Sequence, residues 1–146
     1  MAAISAASQM AAALAITAQA GELRRAAAWL EQAANAGQVP AADTARLDLC
    51  LHEALANIID HGGLKADSEV RLTLEVHDDS ATLTLVDAGR PFDLTVAATP
   101  ARPRTLQETQ PGGLGVVIIR SNSDALNYRR QDGRNRLDVT VRWTTA

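Results

Sequence analysis

Two hydrophobic periods divide the chain. Between residues 22 and 36, Leu23, Ala26, Ala27, Leu30, Ala33 and Ala34 recur at the three- and four-residue spacing of an amphipathic helix, and Gly37 stands where a C-terminal cap belongs. Val39-Pro40 breaks the run. Asp43 can cap a second helix that reaches about residue 61, with a stripe of Leu47, Leu51, Ala54, Leu55 and Ile58, ended by Gly62-Gly63. The period then changes to two. Val70, Leu72, Leu74 and Val76 alternate with Arg71, Thr73 and Glu75, a strand with one face buried and one wet. Residues 77–80 turn the chain, and 81–86 form the return arm of a hairpin. From 94 to 111 no period holds, and Pro100, Pro103 and Pro111 punctuate a long connection of the kind that forms functional loops or lids. A short apolar helix from 114 to about 123 opens on glycines. Strands at 126–129 and 137–143 follow, joined by a turn at Asp132-Gly133. Helices, hairpin, loop, helix, hairpin is the order of an α+β two-layer sandwich, a mostly antiparallel sheet with helices on one face.

The N-terminal region changes this picture little. Residues 1–11 read as a flexible start and 12–146 as one domain, with a short edge strand near 14–18. The stretch from Met10 to Ala20 resembles a secretory leader, but no Lys or Arg precedes Arg24, so the basic region of such a leader is missing. Its alanines are too weakly apolar for a membrane span. A cytoplasmic protein away from membranes is the expectation. At 146 residues the chain is long enough for one core. The net charge of −3 argues against a protein built to bind nucleic acid. The single cysteine, Cys50, excludes an internal disulfide and a cysteine zinc cluster.

Three groups of residues carry candidate chemistry. Glu53, Asn57 and His61 lie at i, i+4, i+8 on the second helix, beside its apolar stripe, where a polar row borders either a pocket or plain solvent. Asp87-Ala88-Gly89 leaves the end of a strand. It describes an ordinary turn equally well as a carboxylate held at a sheet end with a bare backbone beside it. As a site, it offers an acceptor to the exocyclic amine of adenine and repels the carbonyl of guanine. Pro111-Gly112-Gly113-Leu114-Gly115 opens an apolar helix. It is either a hinge with a tight packing point or a phosphate cradle of backbone amides. It is not a Walker A loop, because no Lys-Ser/Thr follows.

Taken in order, these pieces resemble the Bergerat-fold (GHKL) ATPases, and more closely the bacterial anti-sigma factor serine/threonine kinases. The resemblance rests on Glu53-Ala54-Leu55-Ala56-Asn57-Ile58-Ile59-Asp60-His61, on Asp87-Ala88-Gly89-Arg90-Pro91-Phe92-Asp93, on Gly113-Leu114-Gly115, and on the tail that includes Asn127-Tyr128-Arg129 and Gly133-Arg134-Asn135-Arg136-Leu137. It covers about residues 12–143. It implies ATP and Mg2+ as cofactors, with Asn57 as the magnesium ligand and Glu53 as the general base. Asp87 would read adenine with Gly89 giving the ring room, and Gly113, Leu114 and Gly115 would hold phosphates. Arg102 and Arg104 in the long loop are either γ-phosphate cations or solvated charges. The implied activity is sequestration of a sigma factor together with phosphorylation of a small STAS-type anti-sigma antagonist. The alternative is a non-catalytic ATP-binding partner switch. A homodimer is left open. The remaining residues read as bland: Cys50, Trp29 and Trp143 as packing, His52 and His77 as surface, and Arg24-Arg25 as a solvated face of the first helix.

Overall fold

The computed structural model describes residues 9–93 and 113–145. The long loop at 94–111, with Arg102 and Arg104, lies outside them. Among the described residues five strands and three α-helices, with a single 3-10 turn at Ala20–Glu22, run in the order β1 (Met10–Thr17), α1 (Leu23–Ala36), α2 (Ala41–His61), β2 (Glu69–Val76), β3 (Ser80–Asp87), α3 (Gly113–Ser121), β4 (Ala125–Gln131) and β5 (Arg134–Arg142). The strands form one sheet in the order β1-β2-β3-β5-β4, and every pairing is antiparallel. The helices cover one face, so the expected α+β sandwich is the architecture.

One core joins the layers. Leu72, Leu74, Leu83 and Leu85 from the central strands meet Leu30 of α1, Leu47, Leu51 and Leu55 of α2 and Ile119 of α3, all fully buried. Each such side chain contributes about 1.5–3 kcal/mol by leaving water. Cys50 lies in this core, as expected. Burial pushes its thiol up to about 11, and its Sγ sits 3.8 Å from the Ile119 carbonyl. The opposite sheet face is polar, with the Thr82 and Thr140 hydroxyls 2.8 Å apart and Thr84 donating to Asp138 at 2.6 Å.

Several expected boundaries move. β1 is an eight-residue strand from Met10, longer than the 14–18 segment and beginning inside the stretch read as flexible. Its alanines carry little β preference, and the ladder to β2, from Met10 opposite Val76 to Thr17 opposite Glu69, makes it a strand. Asp43 does not cap α2. The cap position is Pro40, whose carbonyl accepts from the Asp43 and Thr44 amides. Asp43 lies inside the first turn and pairs with Arg46 at 3.1 Å, and Arg46 reaches on to Asp124 at 3.1 Å, tying α2 to the segment after α3. Gly37 is the C-cap of α1, as expected, and the left-handed residue is the next one, Gln38 (φ 61°). Gly37 is needed for space, because a Cβ there would lie 2.7 Å from the Val76 side chain. The β4–β5 turn is as expected, with Asp132 (φ 53°) and Gly133 (φ 74°) both left-handed, the pairing that a two-residue hairpin turn requires. His77 departs from its surface reading. It is half-buried, and its Nδ1 is enclosed without a hydrogen-bond partner among the described residues. Among the described residues no helix is long and apolar enough to cross a membrane.

Candidate functional site

The C-terminal half of α2, the end of β3 and the start of β5 enclose a cavity of about 320 Å³. Its lining includes Asn57, Ile58 and His61 of α2, Asp87 at the end of β3, Phe92 beyond it, and Asn135 of β5. The lower limit for small-molecule pockets is near this volume. The walls are mostly apolar with a few polar groups, and Phe92 stands at the rim, 47% exposed.

Asp87 is nearly enclosed, at 5% exposure. β3 delivers it there because Val86 and Asp87 continue the pairing with Arg136 and Asn135 on β5. Its Oδ1 accepts from the Gly89 amide at 2.8 Å and from Asn135 Nδ2 at 3.1 Å. These bonds hold the carboxylate in one orientation. Gly89 is tightly enclosed: a Cβ there would lie 2.8 Å from Asp87 Oδ1 and 2.9 Å from the Gly62 carbonyl. The next amide, Arg90 N, donates to that same carbonyl at 2.9 Å. Any side chain at 89 therefore pushes the D-x-G turn off the end of α2.

On the other side, the first turn of α3 meets the polar row of α2. A Cβ on Gly115 would lie 3.0 Å from Glu53 Oε2 and 3.4 Å from Asn57 Nδ2. The glycine lets the helix backbone come within reach of both groups. Asn57 Nδ2 is buried and has no hydrogen-bond partner among the described residues. A buried amide left unsatisfied costs about 1–3 kcal/mol, so it marks a place where a bound group would complete the structure. Turning the amide over presents its oxygen to the same space, so the residue fits a cation shell as well as a hydrogen-bond acceptor. Glu53 does not line the cavity; it lies one turn back along α2, against Gly115. Gly113 and Leu114 stand in the first turn of α3 with Gly115. The structure thus gathers Glu53, Asn57, Asp87, Gly89 and Gly115 around one region. It describes nothing of Arg102 and Arg104.

The residue that motif reasoning passed over is Asn135. It is buried, and its Nδ2 donates to Arg90 O at 2.8 Å as well as to Asp87, with a longer contact to Gly89 O at 3.3 Å. Its Oδ1 accepts from the Tyr128 hydroxyl and from Arg130 Nη1 at 3.1 Å. Arg130 also donates to Gly89 O at 2.6 Å. The tail of the chain, noted only for its resemblance, is therefore the floor of the Asp87 turn. A signal was present: Asn135 continues the inward series Leu137, Val139, Val141, and an asparagine on an apolar face needs partners.

The fold and this geometry agree with what the chain is similar to. A histidine kinase-like ATPase domain model matches residues 16–143. The chain belongs to that family. It is 36% identical over 113 residues to the serine/threonine-protein kinase BtrW of Bordetella bronchiseptica, covering 77% of this chain and 80% of the relative. The resemblance to the anti-sigma factor serine/threonine kinases thus holds over most of the domain. Two solved structures share the fold at 14% identity. One contains the RsbU and RsbW domains of Rv1364c from Mycobacterium tuberculosis, with a TM-score of 0.62 over 92% of this chain. This chain spans 35% of that longer one. The other is the SiaB–SiaC complex from Pseudomonas aeruginosa, with a TM-score of 0.57 over 89% of this chain and 88% of the matched one.

Proposed function

We propose that this domain is an ATP- and magnesium-dependent serine/threonine kinase that also acts as an anti-sigma factor, holding a sigma factor and phosphorylating a small STAS-type antagonist. The observation that carries the reading is that the pinned Asp87 and Asn57, whose buried Nδ2 has no partner among the described residues, line one apolar cavity. Asp87 would accept from the adenine amine through the oxygen that Gly89 and Asn135 leave unengaged. Gly89 leaves the ring room beside it. Asn57 would supply an amide oxygen to magnesium, a fitting donor where the triphosphate already provides the negative charge. The magnesium ion would neutralise charge on the phosphates during transfer. Backbone amides of Gly113, Leu114 and Gly115 at the start of α3 would hold the phosphates, where the helix dipole favours anions.

Glu53 would take the proton from the Ser or Thr hydroxyl as its oxygen bonds to the γ-phosphorus and ADP departs. Its place outside the cavity suits a base that acts on an incoming protein and not on the nucleotide. Arg102 and Arg104 keep their proposed role at the γ-phosphate. Cytoplasmic action follows from partners of this kind. Similarity to BtrW, a serine/threonine-protein kinase, supports phosphoryl transfer.

The deciding experiment incubates the protein with γ-labelled ATP, magnesium and antagonists encoded beside its gene. Label on a Ser or Thr of an antagonist is the expected result. ATP binding and sigma-factor capture with no transfer to any of them would leave a sequestering module in place of the kinase.

A further inference from the structure

The tip of the β4–β5 hairpin is strongly basic on an acidic protein. Residues 129–136 hold four arginines against one aspartate, a net of +3; the whole chain is −3, so the rest carries −6. The register sets Arg129 directly opposite Arg136. Their row continues across Val86 to Arg71 on β2. Like charges directly opposed on neighbouring strands weaken a sheet. Arg71 is partly answered by Glu69 and Arg136 by Asp138, each at 3.2 Å. Arg130 points the other way, into the Asp87 turn. Arg129 and Arg134 are exposed and make no ion pair or hydrogen bond among the described residues.

β4 is an outermost strand, and its free edge pairs with no other described strand. Charged side chains on an edge, cationic ones above all, discourage unwanted pairing, and one such charge suffices. That purpose does not call for arginines in register against each other. β1, the opposite edge, manages with no charge over its eight residues. The Arg129–Arg136 pair and the +3 of the hairpin tip therefore need their own reason, and an anionic partner supplies one.

We propose that the free edge of β4 and the outer face of its hairpin dock an extended, acidic segment of a partner protein. The segment would add to the sheet as a further strand, its backbone bonding to β4 and carboxylates at alternate positions passing Arg129 and the tip near Arg134. A polypeptide fits better than a nucleic acid. Two unengaged guanidiniums cannot track a phosphate backbone, and the −6 of the remaining chain repels a long polyanion. The surface is distinct from the nucleotide cavity, so this inference stands or falls apart from the kinase reading.

The test measures fluorescence anisotropy of a labelled ten-residue peptide of alternating Glu and Thr, with a ten-nucleotide single strand as rival probe. Arg129→Glu/Arg134→Glu is compared with Arg24→Glu/Arg25→Glu, which makes the same change in net charge on α1. The β4–β5 double reversal should weaken peptide binding by roughly tenfold or more at low salt, the α1 reversal by less than about twofold, and binding should fall as salt rises. The Arg129→Glu variant alone should melt no lower than the parent, since it turns a like-charged cross-strand pair into an opposite one. Absence of peptide binding, an equal effect of both reversals, or tighter binding of the oligonucleotide would overturn the proposal.

Discussion

Asn135 offers the sharpest perturbation of the site. Its side chain bonds Asp87 Oδ1, Arg90 O, the Tyr128 hydroxyl and Arg130 Nη1. Truncation by Asn135→Ala removes one partner from each of these groups at once. A buried group left unpaired costs about 1–3 kcal/mol, and Arg130 and Arg90 O can recover part of that from water at the rim, so the net loss of stability should be about 3 kcal/mol. ATP affinity should fall as well, because Asp87 Oδ1 keeps only the Gly89 amide and the carboxylate is free to turn. Asn135→Asp keeps the shape and replaces a donor 3.1 Å from Asp87 Oδ1 with a second carboxylate. At an effective dielectric near 20, two charges that close repel by about 5 kcal/mol, so the pair takes up one proton as pH falls at an apparent pKa above the ordinary carboxylate range. Below that value one carboxyl is protonated and can donate to its neighbour, as the amide did. Measured against the parent at each pH, ATP binding by the Asp variant should therefore strengthen as pH drops from 8 to 5. Calorimetry across that range measures it. An Asp variant whose deficit against the parent is the same at every pH, or an Asn135→Ala protein that binds ATP normally, would refute the claim that this bond orients Asp87.

Three further outcomes follow from the same geometry. Glu53→Gln should leave ATP affinity near normal and slow phosphate transfer about a hundredfold or more, whereas Asn57→Ala should weaken magnesium-nucleotide binding itself; calorimetry and single-turnover transfer on both variants separate the two roles. Asp87→Asn should cost about 1.5–3 kcal/mol of ATP affinity and erase any preference over GTP, read by competition between the two nucleotides. Asp124 accepts from the Arg142 amide at 2.6 Å and pairs with Arg46, and these hold its carboxyl below the ordinary value. A depressed folded-state pKa adds stability above the unfolded value near 3.8 and loses it as pH falls through the folded value. Asp124→Asn should thus cost about 1 kcal/mol at pH 7 and flatten the melting temperature's fall below about pH 4, seen by thermal melts from pH 2 to 7.

Periodicity established α1, α2 and the β2–β3 hairpin, because burial of one face imposes a period of two on strands and near four on helices, while α3 and the β4–β5 hairpin were marked by their glycines and the Asp132-Gly133 turn. The same sequence placed Glu53, Asn57, Asp87, Gly89 and Gly115 in motifs, since each depends on local spacing within one element. Tertiary structure decided the rest. β1 is a strand from Met10 because β2 lends it a ladder, which an alanine run cannot announce by itself. Asp43 yields the cap to Pro40, whose carbonyl takes the Asp43 and Thr44 amides, and its carboxylate is engaged instead by Arg46, which also reaches Asp124 across the fold. Gly37 and Gly89 are required by the Val76 side chain and the Gly62 carbonyl, neighbours that lie 39 and 27 positions away. Asn135 becomes the floor of the site only because β5 runs beside β3 and sets it opposite Asp87, 48 residues earlier in the chain. Hydrogen bonds between side chains so distant in sequence leave no period to read; only the folded register brings them together.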